Sequence, residues 1–495
     1  MTDDTVTPEV EAPEETPDAP TGAGRRAVIL GARIVSGLVG VGVAAVVLIA
    51  ATFVPFPTHT LQPRSDVVSP VATVQQRVCA GPLLQLGTAS GEQATQPTSF
   101  GRPSVRATAA SGHVDSTPLA ATDNVAGVAP QVLSVPADSG SSAPVFAGSQ
   151  SQVAQRDDSV GFAASGCAVG SGDSWLVGGS TATGRTTLIT LSNPSGVDAT
   201  VTLTIYSETG VVIAAGTDGI VVKAGSQKVL PLAGFAPGVV SPVVRVQSRG
   251  GSVVANLQQT TVRVLDPGGV DIVDPTSAAG QRTVIPGVVL TTSDAVAAKQ
   301  SRPGYDDLAA VIRALAPGEK SALARITLIP QGASAKPIDA GSVTLKGGVV
   351  TDFALGAYPD GTYTIVVDSN LPVVASARTS TVNAGGATDF AWWSGAAPIA
   401  TPSSLAVAPG PAPVLTVANS STTATSVSVK GTAGTTTIDV PANRSVTVPV
   451  EPNGTYLLTP AAAVSIAVSY SGDTQLAGFA LTQSAPASQP IRVYG

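Results

Sequence analysis

Hydrophobic residues alternate with polar ones in many short segments of this chain, and this period of two constrains its fold more than any other feature. In the segment ATVTLTIYS, Val201, Leu203 and Ile205 alternate with threonine. Successive side chains on a β-strand point to opposite faces, so the pattern predicts a strand that is buried on one face, as in an antiparallel sheet. The same alternation recurs in ARITLIP, SVSVK and SVTVPV. We therefore expect a mostly β fold.

The composition of the 495-residue chain also favours strands and turns over long helices. Only 12% of the residues are charged and 4% are aromatic, whereas glycine (52) and proline (39) are frequent. Valine and threonine are common in strands, and glycine and proline mark the turns between strands. After the acidic N-terminus, acids and bases are nearly balanced. The chain therefore lacks the basic surface that nucleic-acid binding requires, and we expect no nucleic-acid partner.

The chain also repeats itself. The segment YPDGTYTI (Tyr358 to Ile365) matches EPNGTYLL (Glu451 to Leu458), and in each an Asp-Gly or Asn-Gly turn precedes a strand. In the same way, LITLSNPSGVDATVTLTI resembles VLTVANSSTTATSVSVKG, with Asn193 and Asn419 in corresponding places. Both matches join an apolar strand, a turn of small residues and an alternating strand, so they indicate copies of one structural unit.

These matches indicate three related units, each with the size and strand count of an immunoglobulin-like β-sandwich. A single β-solenoid or propeller would require shorter and tighter repeats. Residues 65–165 are less regular, and they either complete the first sandwich or form a smaller β domain. We expect a stalk and first β domain, a second sandwich and a third sandwich, at residues 55–265, 266–385 and 386–495.

One segment is apolar enough to cross a membrane. Residues 34–54 (IVSGLVGVGVAAVVLIAATFV) carry no charge, and as a helix they would be about 31 Å long, enough for the hydrocarbon core. Arg25, Arg26 and Arg33 precede the run, and the next base is Arg64. The excess of positive charge on the N-terminal side predicts a cytoplasmic N-terminus and an extracellular C-terminal part. A cleaved signal peptide is the alternative, although this run is longer than usual for one.

The tail before the apolar run is acidic and rich in proline. Residues 1–24 contain no base, and such a composition predicts a disordered segment on the cytoplasmic side. Residues 25–54 then form the expected transmembrane helix with its basic flank, a single pass held in membrane lipid through residues 34–54. The tail is either a solvated extension or a docking site for a cytoplasmic partner.

The two cysteines, Cys79 and Cys167, both lie on the expected extracellular side. Disulfides persist in such compartments, so the pair predicts one disulfide; two unrelated thiols are the alternative. Two cysteines and two histidines are too few for a structural zinc site. No acidic run resembles a calcium-binding loop, and we expect neither a metal nor a cofactor.

The segment GGSTATGRTT (Gly178 to Thr187) resembles a phosphate-binding loop, in which a strand precedes the loop and a helix follows it. Arg185 stands where that motif has lysine, and the following residues, RTTLITLSNP, are typical of a strand. The segment therefore predicts a glycine-rich connection that leads into a strand at Thr186 to Leu191. Nucleotide binding is not expected.

No catalytic residues stand out in the sequence. His59 lies close to the apolar run, and His113 has only local neighbours such as Asp115, whereas a catalytic triad converges from separate elements. Two acidic pairs, Asp157-Asp158 and Asp306-Asp307, are candidates for a glycosidase. Neither pair lies in an aromatic segment, and each is typical of a turn or the start of a strand.

Trp175, Trp392 and Trp393, the three tryptophans of the chain, are the best candidates for recognition, because aromatic side chains dominate binding hot spots. The alternative is that they fill the cores of the sandwiches or the contacts between them. The sequence leaves both open.

Several segments carry a resemblance to a known group of proteins. They are VCAGPL (Val78 to Leu83), SWLVGGSTATGRTTLITLSNPSGVDATVTLTIYSETG (Ser174 to Gly210), VIPGV (Val284 to Val288) and ALAPGEKSALARITL (Ala314 to Leu328). With them the chain resembles an uncharacterised domain-of-unknown-function family of membrane-anchored, β-rich actinobacterial proteins. The resemblance implies no activity and no catalytic residues. Genes of such proteins often lie near a membrane glycosyltransferase, which implies a partner in envelope assembly.

These observations predict a non-enzymatic, membrane-anchored protein of the cell envelope. Its β-sandwiches would scaffold or bind wall proteins or polysaccharide, alongside an envelope glycosyltransferase. The alternatives are a secreted-side glycan hydrolase and a protein that signals the state of the wall through its acidic tail. The oligomeric state does not follow from the sequence.

Overall fold

The computed structural model describes residues 65–68, 74–86, 96–121, 123, 128–136, 144–483 and 491–494, and five helical positions between residues 39 and 46. The expected tail at 1–24, and all but those five positions of the expected anchor at 25–54, lie outside the described residues. Within the described part of the chain, no helix is both long enough and apolar enough to cross a membrane.

The described chain is mostly β, which confirms the predicted fold class at that level. It divides into two compact units, residues 1–67 with 492–495 and residues 68–491. The first and last strands, β1 and β35, pair in a two-stranded sheet and span Ser65–Val68 and Ile491–Tyr494. The larger unit contains four sets of strands, which we call modules I to IV, within residues 74–166, 173–273, 280–394 and 403–481.

The strands of modules I and II are short and mostly antiparallel. Module I contains β2 to β10, which are Gln75–Val78, Leu83–Leu86, Pro97–Phe100, Ser104–Ala109, Asp115–Pro118, Ala120–Ala121, Gln131–Val135, Phe146–Arg156 and Ser159–Gly166. Module II contains β11 to β19, which are Asp173–Val177, Arg185–Asn193, Ala199–Ser207, Gly210–Val212, Ile220–Val222, Ser226–Pro231, Val243–Arg249, Val254–Arg263 and Asp266–Val273.

Modules III and IV complete the larger unit. Module III contains β20 to β26, which are Gly280–Leu290, Val311–Leu315, Ala322–Pro330, Ile338–Leu345, Thr351–Ala354, Gly361–Val382 and Thr388–Ser394, with an α-helix at Ser293–Gln300. Module IV contains β27 to β34, which are Ser403–Ala406, Val414–Asn419, Thr425–Gly431, Gly434–Val440, Arg444–Pro449, Thr455–Pro460, Ser465–Gly472 and Gln475–Ala480. Short 3-10 helices lie at Leu232–Gly234 and Asp306–Leu308.

Modules II and IV are β-sandwiches with the same strand order. In module II, one sheet runs β11-β17-β13 with β14 and β15 both pairing β13, and the other runs β19-β18-β12-β16. In module IV, the sheets run β27-β32-β29-β30 and β34-β33-β28-β31, which is the same order, with β30 in the place of β14 and β15. Each pair of sheets encloses an apolar core, to which Phe162 of β10 is added in module IV and Phe390 and Trp392 of β26 in module II. The likeness of the two modules in sequence thus has a counterpart in topology.

Module III has this order too, but one long strand takes two places in it. The first part of β25 pairs β20 and β22, and its last part pairs β21 and β26. The sheets therefore run β20-β25-β22-β23 and β26-β25-β21-β24, and the 22-residue strand β25 passes from one sheet to the other. A turn that separates two strands in modules II and IV is replaced here by continuous strand.

Module I is a smaller version of the same arrangement. Its sheets β2-β8-β6 and β10-β9-β5 reproduce the inner part of the order in module II, and β3 and β4 form a separate pair. Residues 65–165 therefore hold a small two-sheet unit. The expected limits at residues 265 and 385 each fall between paired strands, since β19 pairs β18 and β26 pairs β25.

The last strand of each module, which we call its closing strand, lies at the centre of the larger unit. The closing strands β10, β19, β26 and β34 contact each other in that order, and β34 contacts β10 in turn. The four modules therefore form a closed ring around four sheet edges. An exposed edge is a template for aggregation, so burying all four is favourable, but their N–H groups then need acceptors away from water.

Buried aspartates supply those acceptors. Asp389 on β26 is fully buried, and its carboxylate accepts hydrogen bonds from the N–H groups of Phe162 at 3.0 Å, Leu476 at 3.1 Å and Val270 at 3.3 Å. These donors lie on β10, β34 and β19, so one side chain joins module III to the other three. Gly161 leaves room for it, because a Cβ there would lie 2.5 Å from the carboxylate.

Two further aspartates act beside it. Asp271 on β19 accepts a hydrogen bond from the N–H of Trp392 at 2.6 Å, which joins modules II and III. Asp274, just after β19, accepts from the N–H of Gly166 at 3.0 Å and from the amide of Asn256 at 2.8 Å, which joins modules II and I. The contacts between modules are thus polar as well as apolar.

Candidate functional site

A charged cleft lies between modules II and III, with a volume of about 280 Å3. One wall is the glycine-rich segment between β11 and β12, and the other consists of residues from Asp306 to Arg378 of module III and the ring of Trp392. The cleft therefore unites the segment GGSTATGRTT, the pair Asp306-Asp307 and one predicted tryptophan, although these are far apart in the sequence.

The glycine-rich wall has the conformation that the sequence predicts. Residues 178–184 form a connection, and β12 begins at Arg185, so a strand follows where a nucleotide-binding loop would have a helix. Gly184 has a φ of +77°, and a Cβ there would lie 2.3 Å from the carbonyl oxygen of Val262. Only glycine fits this turn. It brings Arg185 to the side of the cleft.

Asp307 is the centre of an ion-pair network across the two modules. Its carboxylate lies 2.6 Å from Nε of Arg263, 2.9 Å from Nη2 of Arg185 and 3.6 Å from Nη2 of Arg378. Burial alone would raise the pKa of Asp307, but the charges of Arg378, Arg263 and Arg185 and the hydrogen bond from Arg263 hold it at about 2. The group is therefore an anion at neutral pH.

Asp352 forms the second ion pair. Arg313 binds it with two hydrogen bonds, 2.8 Å from Nε and 2.9 Å from Nη2, and the hydroxyl of Ser241 donates to it at 2.7 Å. Burial opposes ionisation, but Arg313 lowers the pKa of Asp352 overall. Arg313 also donates to the carbonyl oxygen of Gly179 at 2.7 Å, so the pair fixes the glycine-rich wall to module III.

Arg378 is the least satisfied cation of the cleft. It lies on β25, its side chain is 7% exposed, and its guanidinium lies over the ring of Phe390 at 4.8 Å. Nη1 donates to the main-chain carbonyl of Asp307, whereas Nε and Nη2 have no hydrogen-bond partner. Burial, and then the charges of neighbouring arginines, lower its pKa to about 10 against the influence of Asp307.

The three predicted tryptophans are all buried, at 6% exposure or less. Trp392 lies under the guanidinium of Arg313 at 4.7 Å, and its Nε1 donates to Gln259 at 2.7 Å. Trp393 donates to Thr379 at 2.8 Å in the core of module III. Their rings contact packing partners, which favours the packing interpretation, and the ring of Trp392 also lines the cleft. The binding interpretation stays a prediction.

Trp175 is likewise covered on its outer side. Its ring lies 6.0 Å from that of Tyr206, and the guanidinium of Arg245 lies over it at 5.1 Å. Arg245 is held in place by Asp173 at 2.6 Å. The ring thus packs where modules II and III meet.

Cys79 and Cys167 form the expected disulfide. It joins the end of β2 to the end of β10, and both residues are buried. The bond therefore closes module I across its two sheets, next to the centre of the ring.

The other candidates lie apart from the cleft. His113 is exposed, with Asp115 at 4.0 Å, and Asp157 and Asp158 lie in the exposed turn between β9 and β10. His59 lies outside the described residues. Among the residues that the structure describes, no group of histidine, cysteine, aspartate and glutamate could hold a metal ion.

Sequence reasoning missed the arginines that dominate the cleft. Arg313 and Arg378 each interrupt a run of small or apolar residues, in VIRAL and VVASARTSTV. An arginine within a buried strand requires a partner, because burying a charge is costly. That signal marks the residues as unusual, but it does not indicate that they line a cleft facing module II.

Comparison with known proteins identifies a family that covers most of the chain. Residues 120–461 match the model of a family of unknown function (DUF5719). No curated protein matches the chain. The matched segment begins within module I and ends within module IV, and it includes the whole of the charged cleft.

Proposed function

The chain belongs to this DUF5719 family of unknown function, and on that premise we propose that it is a non-enzymatic protein of the cell envelope. In this proposal, it is an actinobacterial, single-pass membrane protein with its N-terminus in the cytoplasm. Its ring of immunoglobulin-like modules lies outside the cell and scaffolds or binds wall proteins or polysaccharide, alongside an envelope glycosyltransferase.

The location is proposed from two features. Residues 34–54 carry no charge and follow Arg25, Arg26 and Arg33, which favours a membrane span with its N-terminus inside. Cys79 and Cys167 form a disulfide, and disulfides are typical of proteins outside the cytoplasm. The two features favour the same side of the membrane for the modules.

The observation that carries the binding role is the charge state of the cleft. Asp307 and Asp352 are both paired with arginine and have lowered pKa values, so neither is a proton donor at neutral pH. In this cleft the carboxylates are ionised and paired with arginine, and the arginines are held in fixed positions. Such a cleft is suited to holding a ligand. It is not suited to proton transfer, which requires a group that titrates near the working pH.

The glycan hydrolase alternative gains no support from this cleft. Hydrolysis of a glycosidic bond uses two carboxyl groups, one of which is protonated before the reaction. Asp307, with a pKa of about 2, does not meet that requirement. The signalling alternative depends on residues 1–24, and deletion of residues 2–24 tests it: an unchanged cell phenotype would count against signalling.

A photo-crosslinking experiment in intact cells tests the proposal. The crosslinking residue replaces Thr183, which is exposed on the glycine-rich wall, because the tryptophans that the sequence suggested for this purpose are buried. We expect adducts with an envelope polysaccharide or protein, and sensitivity of the modules to protease added outside the cell. The control is the same residue at Thr422, exposed on module IV. Protection from external protease together with purely cytoplasmic adducts would disprove the envelope location.

A further inference from the structure

The hydrogen bonding of one cation in the charged cleft is incomplete. A guanidinium carries five N–H donors, and in Arg378 the Nε and Nη2 atoms, which carry three of them, have no hydrogen-bond partner, although Nη2 lies 3.6 Å from the carboxylate of Asp307. The Phe390 ring lies 4.8 Å away and offsets part of the cost of burial by a cation–π interaction. It does not replace oxygen acceptors, and buried donors without acceptors cost free energy.

The surroundings of Arg378 also lack negative charge. Asp307 is the carboxylate nearest to it, and Asp307 is shared with Arg185 and Arg263. Three guanidinium groups thus depend on one carboxylate. Arg313, the fourth guanidinium, is already bound to Asp352.

The exposed Asp306 does not remove the imbalance. It lines the cleft, so the lining itself holds three arginines and three aspartates. Arg263, buried behind the lining, takes up part of the charge of Asp307. The neighbouring arginines act on Arg378 itself, since their charges lower its pKa. An added anion in the cleft would relieve this repulsion.

The dimensions of the cleft suit one small group rather than a polymer. Its volume of about 280 Å3 lies just below the ~300–1,000 Å3 usual for small-molecule sites. Ser180 and Gln259 add polar groups to the walls. Arg185 is 17% exposed, so a ligand reaches it from solvent. Arginine forks are matched to the oxygens of phosphate and carboxylate.

We propose that this cleft binds the oxyanion group, a phosphate or a carboxylate, of an anionic sugar unit in an envelope glycan, and that Arg378 and Arg185 recognise its charge. The inference rests on the proposed function for the glycan as the source of the oxyanion. The affinity for the oxyanion itself rests on the cleft alone.

A calorimetric titration of the full chain, purified in detergent at low salt, tests the binding. Inorganic phosphate and glucuronate probe the charge, a hexose 1-phosphate probes the charge on a sugar, and glucose probes the sugar alone. We expect saturable binding of the three anions, with the hexose 1-phosphate tighter than phosphate, and no binding of glucose. Added salt weakens the binding, because it screens the charges.

Two variants assign the binding to the cleft. Arg185→Gln removes one cation at the side of the cleft while Asp307 keeps Arg263, and we expect Kd to rise about tenfold or more, as for a lost charged hydrogen bond. Arg378→Lys keeps the charge and loses the fork, and we expect a similar rise. If Arg378→Lys does not fold, as thermal unfolding will show, Arg185→Gln decides alone.

Arg245→Gln is the matched control. Like Arg185, Arg245 is paired with an aspartate, Asp173, and like Arg378 it lies over an aromatic ring, that of Trp175, but it does not line the cleft. We expect its Kd to equal that of the unaltered chain. Equal weakening in Arg185→Gln and Arg245→Gln would mean diffuse attraction to the whole surface and would overturn the site.

The remaining outcomes separate the parts of the proposal. If no anion binds saturably, the whole proposal is wrong. If inorganic phosphate binds but glucuronate and the hexose 1-phosphate do not, the assignment of the oxyanion to a glycan is wrong. A chain located in the envelope whose cleft binds no anion disproves this inference alone. Anion binding by a chain absent from the envelope disproves the proposed function and leaves the affinity of the cleft in place.

Discussion

Asp389 accepts hydrogen bonds from main-chain N–H groups of three other modules. Asp389→Ala would leave these three buried donors without acceptors and open a cavity at the centre of the ring. We expect the free energy of unfolding to fall by about 3 kcal/mol or more, as measured by chemical denaturation.

Asp439→Ala is the control for this substitution, because Asp439 is exposed on β30. We expect it to change the free energy of unfolding by less than about 0.5 kcal/mol. Equal effects of the two substitutions would show that the acceptors at the centre of the ring contribute nothing specific.

The aspartates at the centre also predict how stability depends on pH. Burial raises the pKa of Asp274 to about 7, and it raises those of Asp271 and Asp389 as well. The pKa of such an acid is higher in the folded state than in the unfolded state. Between these two pKa values the folded state binds more protons, so the free energy of unfolding falls as pH rises. We expect the unfolding temperature to fall between about pH 4 and pH 7.

The contribution of Asp274 can be isolated with Asp274→Asn, which carries no titrating carboxyl. The pKa shift of Asp274 corresponds to at most about 4 kcal/mol of unfolding free energy. In the variant, the unfolding temperature should therefore decline much less between about pH 4 and pH 7. Thermal unfolding at several pH values measures this. An unchanged profile in the variant would assign the decline to other groups.

Asp307 acts in the opposite direction at lower pH. Its pKa of about 2 lies below the value of an unfolded aspartate. It therefore stabilises the fold above about pH 4, and this contribution is lost as pH falls towards 2. Stability should consequently be greatest in mildly acidic solution.

At the scale of elements, the alternation of side chains predicted strands well. ATVTLTIYS is β13, and Thr186 to Leu191 lie within β12. Two features escaped prediction. The strands of module I show little alternation of apolar and polar residues. Module I resembles the other modules in its strand order and not in its sequence. The continuity of β25 through two sheets depends on packing with both sheets, which local patterns do not encode.

The turn after β12 and the turn after β28 provide a prediction for two elements together. Asn193 donates to the carbonyls of Val197 and Val222, and its side-chain oxygen accepts from the N–H of Ser195. Asn419 makes the same set of bonds with the corresponding residues. We expect Asn193→Ala and Asn419→Ala to cost similar amounts, about 1–3 kcal/mol each, as measured by chemical denaturation.

Thr422→Ala, in the exposed part of the same turn as Asn419, serves as the control and should be nearly neutral. A large cost in one asparagine variant and none in the other would mean that the two turns are alike in form only.

At the scale of the whole molecule, the ring predicts a single unfolding transition. Each closing strand contacts those of two neighbouring modules, so the loss of one module exposes the edges of two others. We expect tryptophan fluorescence, which reports on modules II and III, to follow the same denaturation curve as far-UV circular dichroism, which reports on all four modules. Separate transitions would mean that the modules unfold independently.

The disulfide stabilises the ring at module I. It links residues that are 88 apart in sequence, and closing a loop of that length in the unfolded chain is worth about 4–5 kcal/mol in the loop-entropy model. We expect the double variant Cys79→Ala/Cys167→Ala to lose stability of that order in chemical denaturation. Hydrogen exchange should rise first in module I, and an unchanged midpoint would contradict this role.

The charged cleft was the hardest feature to predict, because it exists only once two modules meet. Arg263 and Arg185 of module II are far apart in the sequence from Asp307 of module III, and they meet it only because the two modules are neighbours in the ring. The hydrophobic pattern and the spacing of turns in the sequence predict each module, but not which modules lie next to each other. That limit applies to any site formed between repeats.

Closure of the ring also limits how such a protein evolves. An open array of repeats gains or loses a copy at its ends with little effect on the others. Here a fifth copy would have no place between the closing strands of modules I and IV, and the loss of one copy would leave two sheet edges uncovered. Tandem duplication can therefore build the ring but not extend it, and we expect proteins that share this fold to keep four modules and to diversify in their loops.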